Sequence, residues 1–293
     1  MSSGPTTAVV TDTTAYLPDE LVGRLGIHRV SLYVSLEGEQ RPELEIAELG
    51  YGEFYERLRR SDEGATTSQP SVGDFLSVYS RLLAEGREIV SIHLSAGISG
   101  TCESARQARQ RLLDDGEGGE RVHVFDSRSA CGGQGLAVLA AANTAAAGAS
   151  GEETVAAAER CRQRLEMWFA IDTLEYLRKG GRIGAAQAWL GSALQIKPIL
   201  TLAEEITPVE RVRTRRRALE RLVEYARQRH NDGADAWVVQ HIQDPETARR
   251  LVEQGREIFG SNPVFVSEIG PVIGAHVGPG LLGVGGVPSS ALG

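Results

Sequence analysis

Three short patches hold the residues of this 293-residue chain best suited to chemistry. They are Thr66-Thr67-Ser68-Gln69-Pro70-Ser71, Ser95-Ala96-Gly97-Ile98-Ser99-Gly100-Thr101 and His276-Val277-Gly278-Pro279-Gly280. Each is rich in hydrogen-bond donors and lies where a strand or loop should give way to a helix or turn. Together they suit an oxyanion. The Ser95–Thr101 patch follows an apolar run and opens a helical pattern, so free backbone N–H groups and the positive end of a helix dipole converge there. Ser99 is placed as an N-cap with Glu103 nearby, and Gly100 lets a ligand approach the backbone. Capping alone accounts for Ser99; Ser95, Gly97, Ser99 and Gly100 within one patch favour a ligand. Ser71 and Asp74 form a capping arrangement for the next helix, which leaves Thr67, Ser68 and Gln69 unexplained. His276, between a strand ending near Ile273 and a glycine turn, could donate to an anion; satisfaction by local backbone is the plainer alternative.

Other chemistries lack their residues. Cys102, Cys131 and Cys161 have neither a CxxC pair nor zinc-ligand spacing and are expected as core or half-buried thiols. Gly278-Pro279-Gly280-Leu281-Leu282-Gly283 fits GxGxxG, but too few residues follow it for a βαβ unit. Lys179-Gly180-Gly181-Arg182 lacks P-loop spacing, and Gly97-Ile98-Ser99-Gly100 is not a GxSxG elbow. A net charge of −8 argues against nucleic acid, and the cluster Arg211, Arg213, Arg215, Arg216, Arg217 and Arg221 is expected as a solvated face, with room for one arginine turned toward a ligand. The first residues lack the pattern of a signal peptide, and no apolar run is long enough to span a membrane, so a cytoplasmic protein is expected. Only two of the 31 basic residues are lysines, Lys179 and Lys197. Where arginine has otherwise replaced lysine, these two are candidates for a role needing a compact charge; chance survival is the alternative.

The elements that must position these patches follow from periodicity. Strands are expected at Ala8–Val10, His28–Leu36, Ile89–Leu94, Val122–Phe125, Ala236–His241 and Val264–Ile269, and the segments Trp168–Ile171, Arg178–Gly184 and Ile196–Leu200 lie between the two halves of the pattern. Helices are expected at Pro18–Arg24, Gly52–Arg60, Ser71–Ala84, Ser99–Leu113, Gly133–Ala147, Glu152–Glu166, Arg215–Arg229 and Pro245–Phe259. The alternation implies an α/β fold with a largely parallel sheet. A boundary near residue 165 divides it into an N-terminal α/β domain, 1–165, with the Thr/Ser loops, and a C-terminal α/β domain, 166–293, with the His276 turn. The glycine-rich tail beyond Leu282 is expected to be mobile.

With these residues in view, the chain resembles the DegV family of fatty-acid-binding proteins from about Val9 to Gly280. The resemblance is carried by Thr11-Asp12-Thr13-Thr14, Thr67-Ser68-Gln69-Pro70-Ser71, Ile98-Ser99-Gly100-Thr101 and Phe125-Asp126-Ser127, and then by Tyr176-Leu177-Arg178-Lys179-Gly180-Gly181-Arg182-Ile183, Lys197-Pro198-Ile199 and His276-Val277-Gly278-Pro279-Gly280, in that order. It implies two α/β domains with a long-chain fatty acid held between them. It further implies that Thr67 and Ser99 bond the carboxylate, with Ser95, Gly100 and His276 close by and Arg213 near the head group. In bacteria such proteins present the fatty acid to a separate fatty acid kinase, which makes the acyl phosphate for phospholipid synthesis; Arg182, with Lys179 in the same segment, is then a candidate for docking that kinase. The usual opening in the family is Asp-Ser-Thr, and here it is Asp12-Thr13-Thr14, which keeps the hydroxyl and adds a methyl. The expectation is a carrier with no cofactor and no catalysis of its own. The alternatives are a lipid-sensing regulator, a carrier of another acidic amphiphile, and a hydrolase using Ser95 or Ser99 with His276.

Overall fold

The computed structural model describes residues 6–190 and 196–293. The chain opens with β1 (Thr7–Asp12), α1 (Asp19–Leu25), β2 (His28–Val30), β3 (Tyr33–Leu36) and β4 (Glu39–Pro42). There follow α2 (Glu43–Leu49), α3 (Gly52–Arg60), β5 (Ala65–Ser68), α4 (Val72–Ala84) and β6 (Glu88–His93). Next come α5 (Thr101–Asp114), β7 (Val122–Asp126), α6 (Cys131–Ala146), α7 (Gly151–Arg164), β8 (Glu166–Ala170) and α8 (Glu175–Lys179). The last elements are β9 (Lys197–Leu202), β10 (Ile206–Val212), α9 (Arg215–Asn231), β11 (Ala236–His241), α10 (Pro245–Phe259), β12 (Phe265–Glu268), α11 (Pro271–Val277) and β13 (Leu282–Val287). Local chemistry sets several of the ends. Ser71 and Asp74 form a reciprocal capping box at the start of α4. Asp244 caps α10 ahead of Pro245, and Gly260 ends that helix in the left-handed region at φ 65°.

The chain folds as two compact units. One comprises residues 6–32, 69–164 and 289–293. Its sheet, in the order β2-β1-β6-β7, is parallel throughout. The crossovers α1 and α5 join its neighbouring strands, as parallel pairing requires. Ala8, Val10, Ile89 and Val122 of the sheet pack with Phe75, Tyr79 and Leu82 of α4 and with Ala105, Ala108 and Leu112 of α5. Helix α6 is mostly small and apolar residues with no polar face of its own, and its stretch from Gly132 to Ala142 is buried throughout.

The other unit comprises residues 33–68 and 165–288. It holds a three-stranded antiparallel sheet, β4-β3-β5, and a six-stranded sheet in the order β10-β9-β8-β13-β11-β12. In the larger sheet only β11 and β12 run parallel. Its core stacks Trp237 on Phe259 at 4.9 Å and Trp168 on Tyr225 at 4.1 Å between ring centroids.

Several expectations require correction. The alternating run His28–Leu36 is two strands: β2 joins the parallel sheet and β3 the small antiparallel one. Residues 33–68, with Thr67 among them, therefore belong with the second unit, not with a continuous 1–165 domain, and residues 289–293 return to the first. The second unit's main sheet is largely antiparallel, because β8, β9, β10 and β13 need no helical crossover. The tail beyond Leu282 is not mobile: residues 282–287 form a buried strand between β8 and β11. Glycines recur there because neighbouring backbone comes close. A Cβ at Gly285 would lie 2.6 Å from the Glu166 carbonyl oxygen, and one at Gly286 would lie 2.6 Å from that of Ala236. The segment leading to His276 is helix α11 and not a strand.

Candidate functional site

Thr67 stands on β5 opposite Val34 of β3, and its Oγ1 lies 2.8 Å from His276 Nε2. His276 occupies the last turn of α11, a short helix fixed from below by two buried side chains. Glu43 accepts a hydrogen bond from the Val272 N–H at 2.8 Å, and the Tyr55 hydroxyl reaches the carbonyls of Ile269 and Gly270 at 2.8 and 2.9 Å. Burial, with a smaller push from the Arg182 charge, lowers the His276 pKa to about 4, so its imidazole is neutral at pH 7. Nδ1 is buried without a hydrogen-bond partner among the described residues. An orphaned N–H costs more than an orphaned lone pair, so the proton belongs on Nε2. Nε2–H then donates to Thr67 Oγ1, and the Thr67 hydroxyl proton is left to point at an acceptor of its own.

The Ser95–Thr101 loop lies in the first unit, at the carboxyl end of β6. The Ser95 N–H donates to the Ser129 carbonyl at 2.7 Å, and Ser95 Oγ accepts from the Gly97 N–H at 3.2 Å. Ser99 is not the N-cap of α5; Gly100 holds that position, with no side-chain capping bond. Ser99 Oγ instead bonds Thr101 Oγ1 at 2.9 Å and accepts the Thr101 N–H at 3.3 Å. Their mutual bond uses one of the two hydroxyl protons. The space beside Gly100, expected to admit a ligand, is filled within this unit by Gln69: a Cβ at residue 100 would lie 2.7 Å from Gln69 Nε2. That contact also gives Gln69 a reason to be there, which capping by Ser71 did not.

Beneath the loop lies a buried polar chain that sequence reading missed. Asp12 Oδ2 accepts from His93 Nδ1 at 3.0 Å and from the Leu94 N–H at 3.1 Å, while Oδ1 accepts the Thr14 N–H at 2.9 Å. His93 Nε2 lies 2.7 Å from Ser91 Oγ, which accepts the Tyr79 hydroxyl at 2.6 Å. Burial alone would raise the Asp12 pKa; the bonds and charge of His93, with Thr14 and Gln134, outweigh it and hold the carboxyl below its ordinary range. Asp12, His93 and Ser91 have the connectivity of a hydrolase triad, but all three are sealed from solvent, and Ser91 is already an acceptor. The group ties the end of β1 to the residue before Ser95. A charged residue ending an otherwise apolar strand, with a histidine in another, was the available signal.

The remaining candidates spread more widely. Lys179 Nζ donates to the Asp62 carbonyl at 3.0 Å, and Arg182 Nη1 to the Gly180 carbonyl at 2.7 Å. Arg213 is exposed between β10 and α9; its neighbour Arg215 enters a polar cluster with Asp172, Asp244 and Lys197. There the Lys197 ammonium bonds both Asp172 Oδ1, at 2.9 Å, and the Asp172 carbonyl, at 3.3 Å, a use of a compact charge that suits lysine. The other arginines of that cluster pair with Glu210, Glu220 and Glu224, or in the case of Arg211 lie over the Trp189 ring, as a solvated face should. Cys102 and Cys161 are buried, their thiols pushed up to about 12 by desolvation, and Cys131 is half-buried. Among the described residues no cluster of histidine, cysteine and carboxylate side chains could hold a metal ion, and no helix is long and apolar enough to cross a membrane.

Residues 6–289 match the family model described as uncharacterised protein, DegV family. The chain belongs to the DegV family. It is 42% identical over 280 residues to a DegV domain-containing protein of Streptomyces coelicolor, covering 94% of this chain and 96% of that one. Among solved structures it is similar to DegV, a fatty acid binding protein from Bacillus subtilis, at 34% identity and a TM-score of 0.83, covering 96% of this chain and 99% of that one. It is also similar to a DegV family protein from Thermus thermophilus, determined for its fatty acid binding, at 34% identity and a TM-score of 0.82, covering 97% and 99%. Thr13 is buried, and its hydroxyl accepts the Leu32 N–H at 3.3 Å.

Proposed function

We propose that this DegV chain binds one long-chain fatty acid and delivers it, without chemistry of its own, to a separate fatty acid kinase. The reading is carried by the Thr67–His276 pair, in which a neutral imidazole turns a threonine hydroxyl into a dedicated donor. A fatty-acid carboxylate is ionised at neutral pH and is costly to bury unpaired, so it needs such donors. The Ser95, Ser99 and Gly100 loop supplies donors of the same kind, and Arg213 a positive charge. The tail supplies affinity: about fifteen methylenes at roughly 0.8 kcal/mol each give on the order of 12 kcal/mol before entropic losses. The fatty acids bound by the Bacillus subtilis and Thermus thermophilus relatives favour this ligand class. An ester hydrolase is not favoured, because Ser99 is engaged by Thr101 and His276 by Thr67. The exposed cations Lys179 and Arg182 are the proposed docking contacts for the kinase.

Native purification followed by denaturation and mass spectrometry is expected to release a long-chain fatty acid at close to one equivalent. An empty protein that also fails to take up added oleate would refute the reading. Thr67→Val removes one bond to a charged group and is expected to weaken oleate binding by about 10- to 100-fold. Ser99→Ala is expected to weaken oleate binding by a similar factor in the same titration, and an unchanged affinity would remove that loop from the carboxylate. Arg182→Glu is expected to lower acyl-phosphate formation by a fatty acid kinase even at saturating oleate, where a change in oleate affinity no longer limits the rate.

A further inference from the structure

Two adjacent glycines follow α8, and they are glycine for different reasons. Gly181 has φ 69°, in the left-handed region, with open space where a side chain would stand. Gly180 has φ −76° and ψ −7°, which any residue adopts, so its backbone does not ask for glycine. Its surroundings do. A Cβ at residue 180 would lie 2.3 Å from His276 Nδ1 and 3.2 Å from Cε1. The Gly180 N–H is committed to the Tyr176 carbonyl at 2.9 Å, so this wall presents no donor to Nδ1. The Gly180 carbonyl is held by Arg182, and Lys179 next door is bonded to Asp62, just ahead of the strand that bears Thr67.

We propose that Gly180 is a positioning residue for the carboxylate donors: its bare backbone seats the His276 ring with Nε2 against Thr67 and denies Nδ1 a partner, fixing the tautomer that frees the Thr67 proton. The inference rests on the carboxylate reading above for its purpose, but not for its geometry. The loop from Lys179 to Arg182 thus braces both members of the pair, and a partner that gripped this loop would act directly on the head-group donors.

Imidazole nitrogen chemical shifts of the ¹⁵N-histidine-labelled protein at neutral pH are expected to show His276 as the neutral Nε2–H tautomer. Gly180→Ala is expected to displace the ring, mix its tautomers, move its pKa back toward the ordinary value and weaken oleate binding about tenfold. In a His276→Ala background the added methyl meets no ring, and the same substitution is expected to change affinity by less than about twofold. Gly181→Ala, which strains only its own backbone, is expected to lower stability and leave the His276 shifts unmoved. If Gly180→Ala does not fold, Gly180→Ala with His276→Ala is expected to fold, since the overlap is gone; failure of both overturns the proposal. A wild-type ring protonated on Nδ1, unchanged shifts in Gly180→Ala, or equal affinity losses in the two backgrounds would overturn it as well. Were the wild type not to bind oleate, the carboxylate reading would fall, while the nitrogen shifts would still decide the role of Gly180.

Discussion

His276 resists protonation in the folded protein, mainly because it is buried and secondarily because Arg182 is near. Its folded pKa of about 4 lies below its ordinary 6.5, so as the pH falls the unfolded chain takes up the proton first. The contribution of His276 is therefore whole above 6.5 and is lost as the pH drops toward 4, by on the order of 2–3 kcal/mol. Urea unfolding across this window is expected to show that slope, and His276→Gln is expected to flatten it. Asp12 acts in a lower window. Its folded pKa is depressed below 3.8, so its contribution is present above that value and disappears as the pH falls further; Asp12→Asn, whose amide must turn an N–H onto one of the buried donors, is expected to lower stability at every pH and to remove that acid limb. At this scale the candidates Thr67, Ser99 and His276 stand out in the sequence as polar residues among glycines between apolar runs, and the structure pairs Thr67 with His276 and Ser99 with Thr101. The support beneath them was not. Nothing in the order of residues says that Asp12 and His93 end neighbouring strands, or that Gln69 folds over Gly100.

Strands β1, β6, β7 and β11 could be read because each carries several apolar residues, many of them β-branched, within five or six positions. Strand β13 could not: Leu282-Gly283-Val284-Gly285-Gly286-Val287 has poor strand propensity, and its glycines are set by the partner strands rather than by local preference. The two kinds of glycine in β13 can be told apart. At Gly285 an added Cβ would meet Met167 Sδ and, at 2.6 Å, the Glu166 carbonyl, whereas at Gly283 the nearest atom is 3.4 Å away. Thermal unfolding is expected to show Gly285→Ala destabilising by roughly 1–3 kcal/mol or more and Gly283→Ala by less than about 1 kcal/mol. Equal effects would mean that strand propensity, not close approach, selects glycine here. Helix α11 escaped notice because seven residues give too little periodicity, and much of its anchoring comes from Glu43 and Tyr55, more than two hundred positions earlier.

At the scale of the molecule, the division near residue 165 was visible as a change of pattern, but the excursion of residues 33–68 was not. His28–Leu36 reads as one strand because alternation continues across Ser31 and Leu32, while its first half pairs with β1 and its second half with β4 and β5 of a different sheet. The same non-local wiring governs how the protein is made. The six-stranded sheet has β13 in its middle, with β8 and β11 on either side of it, so until residues 282–287 have left the ribosome that sheet exists only as two separated parts with bare inner edges. The first unit takes from that end of the chain only residues 289–293, where the Leu292 carbonyl accepts a bond from Asn143, so its whole sheet can form before they emerge. A nascent chain stalled near Leu281 is expected to carry a protease-resistant first unit and a protease-sensitive second one, and to be the form most in need of a chaperone during synthesis.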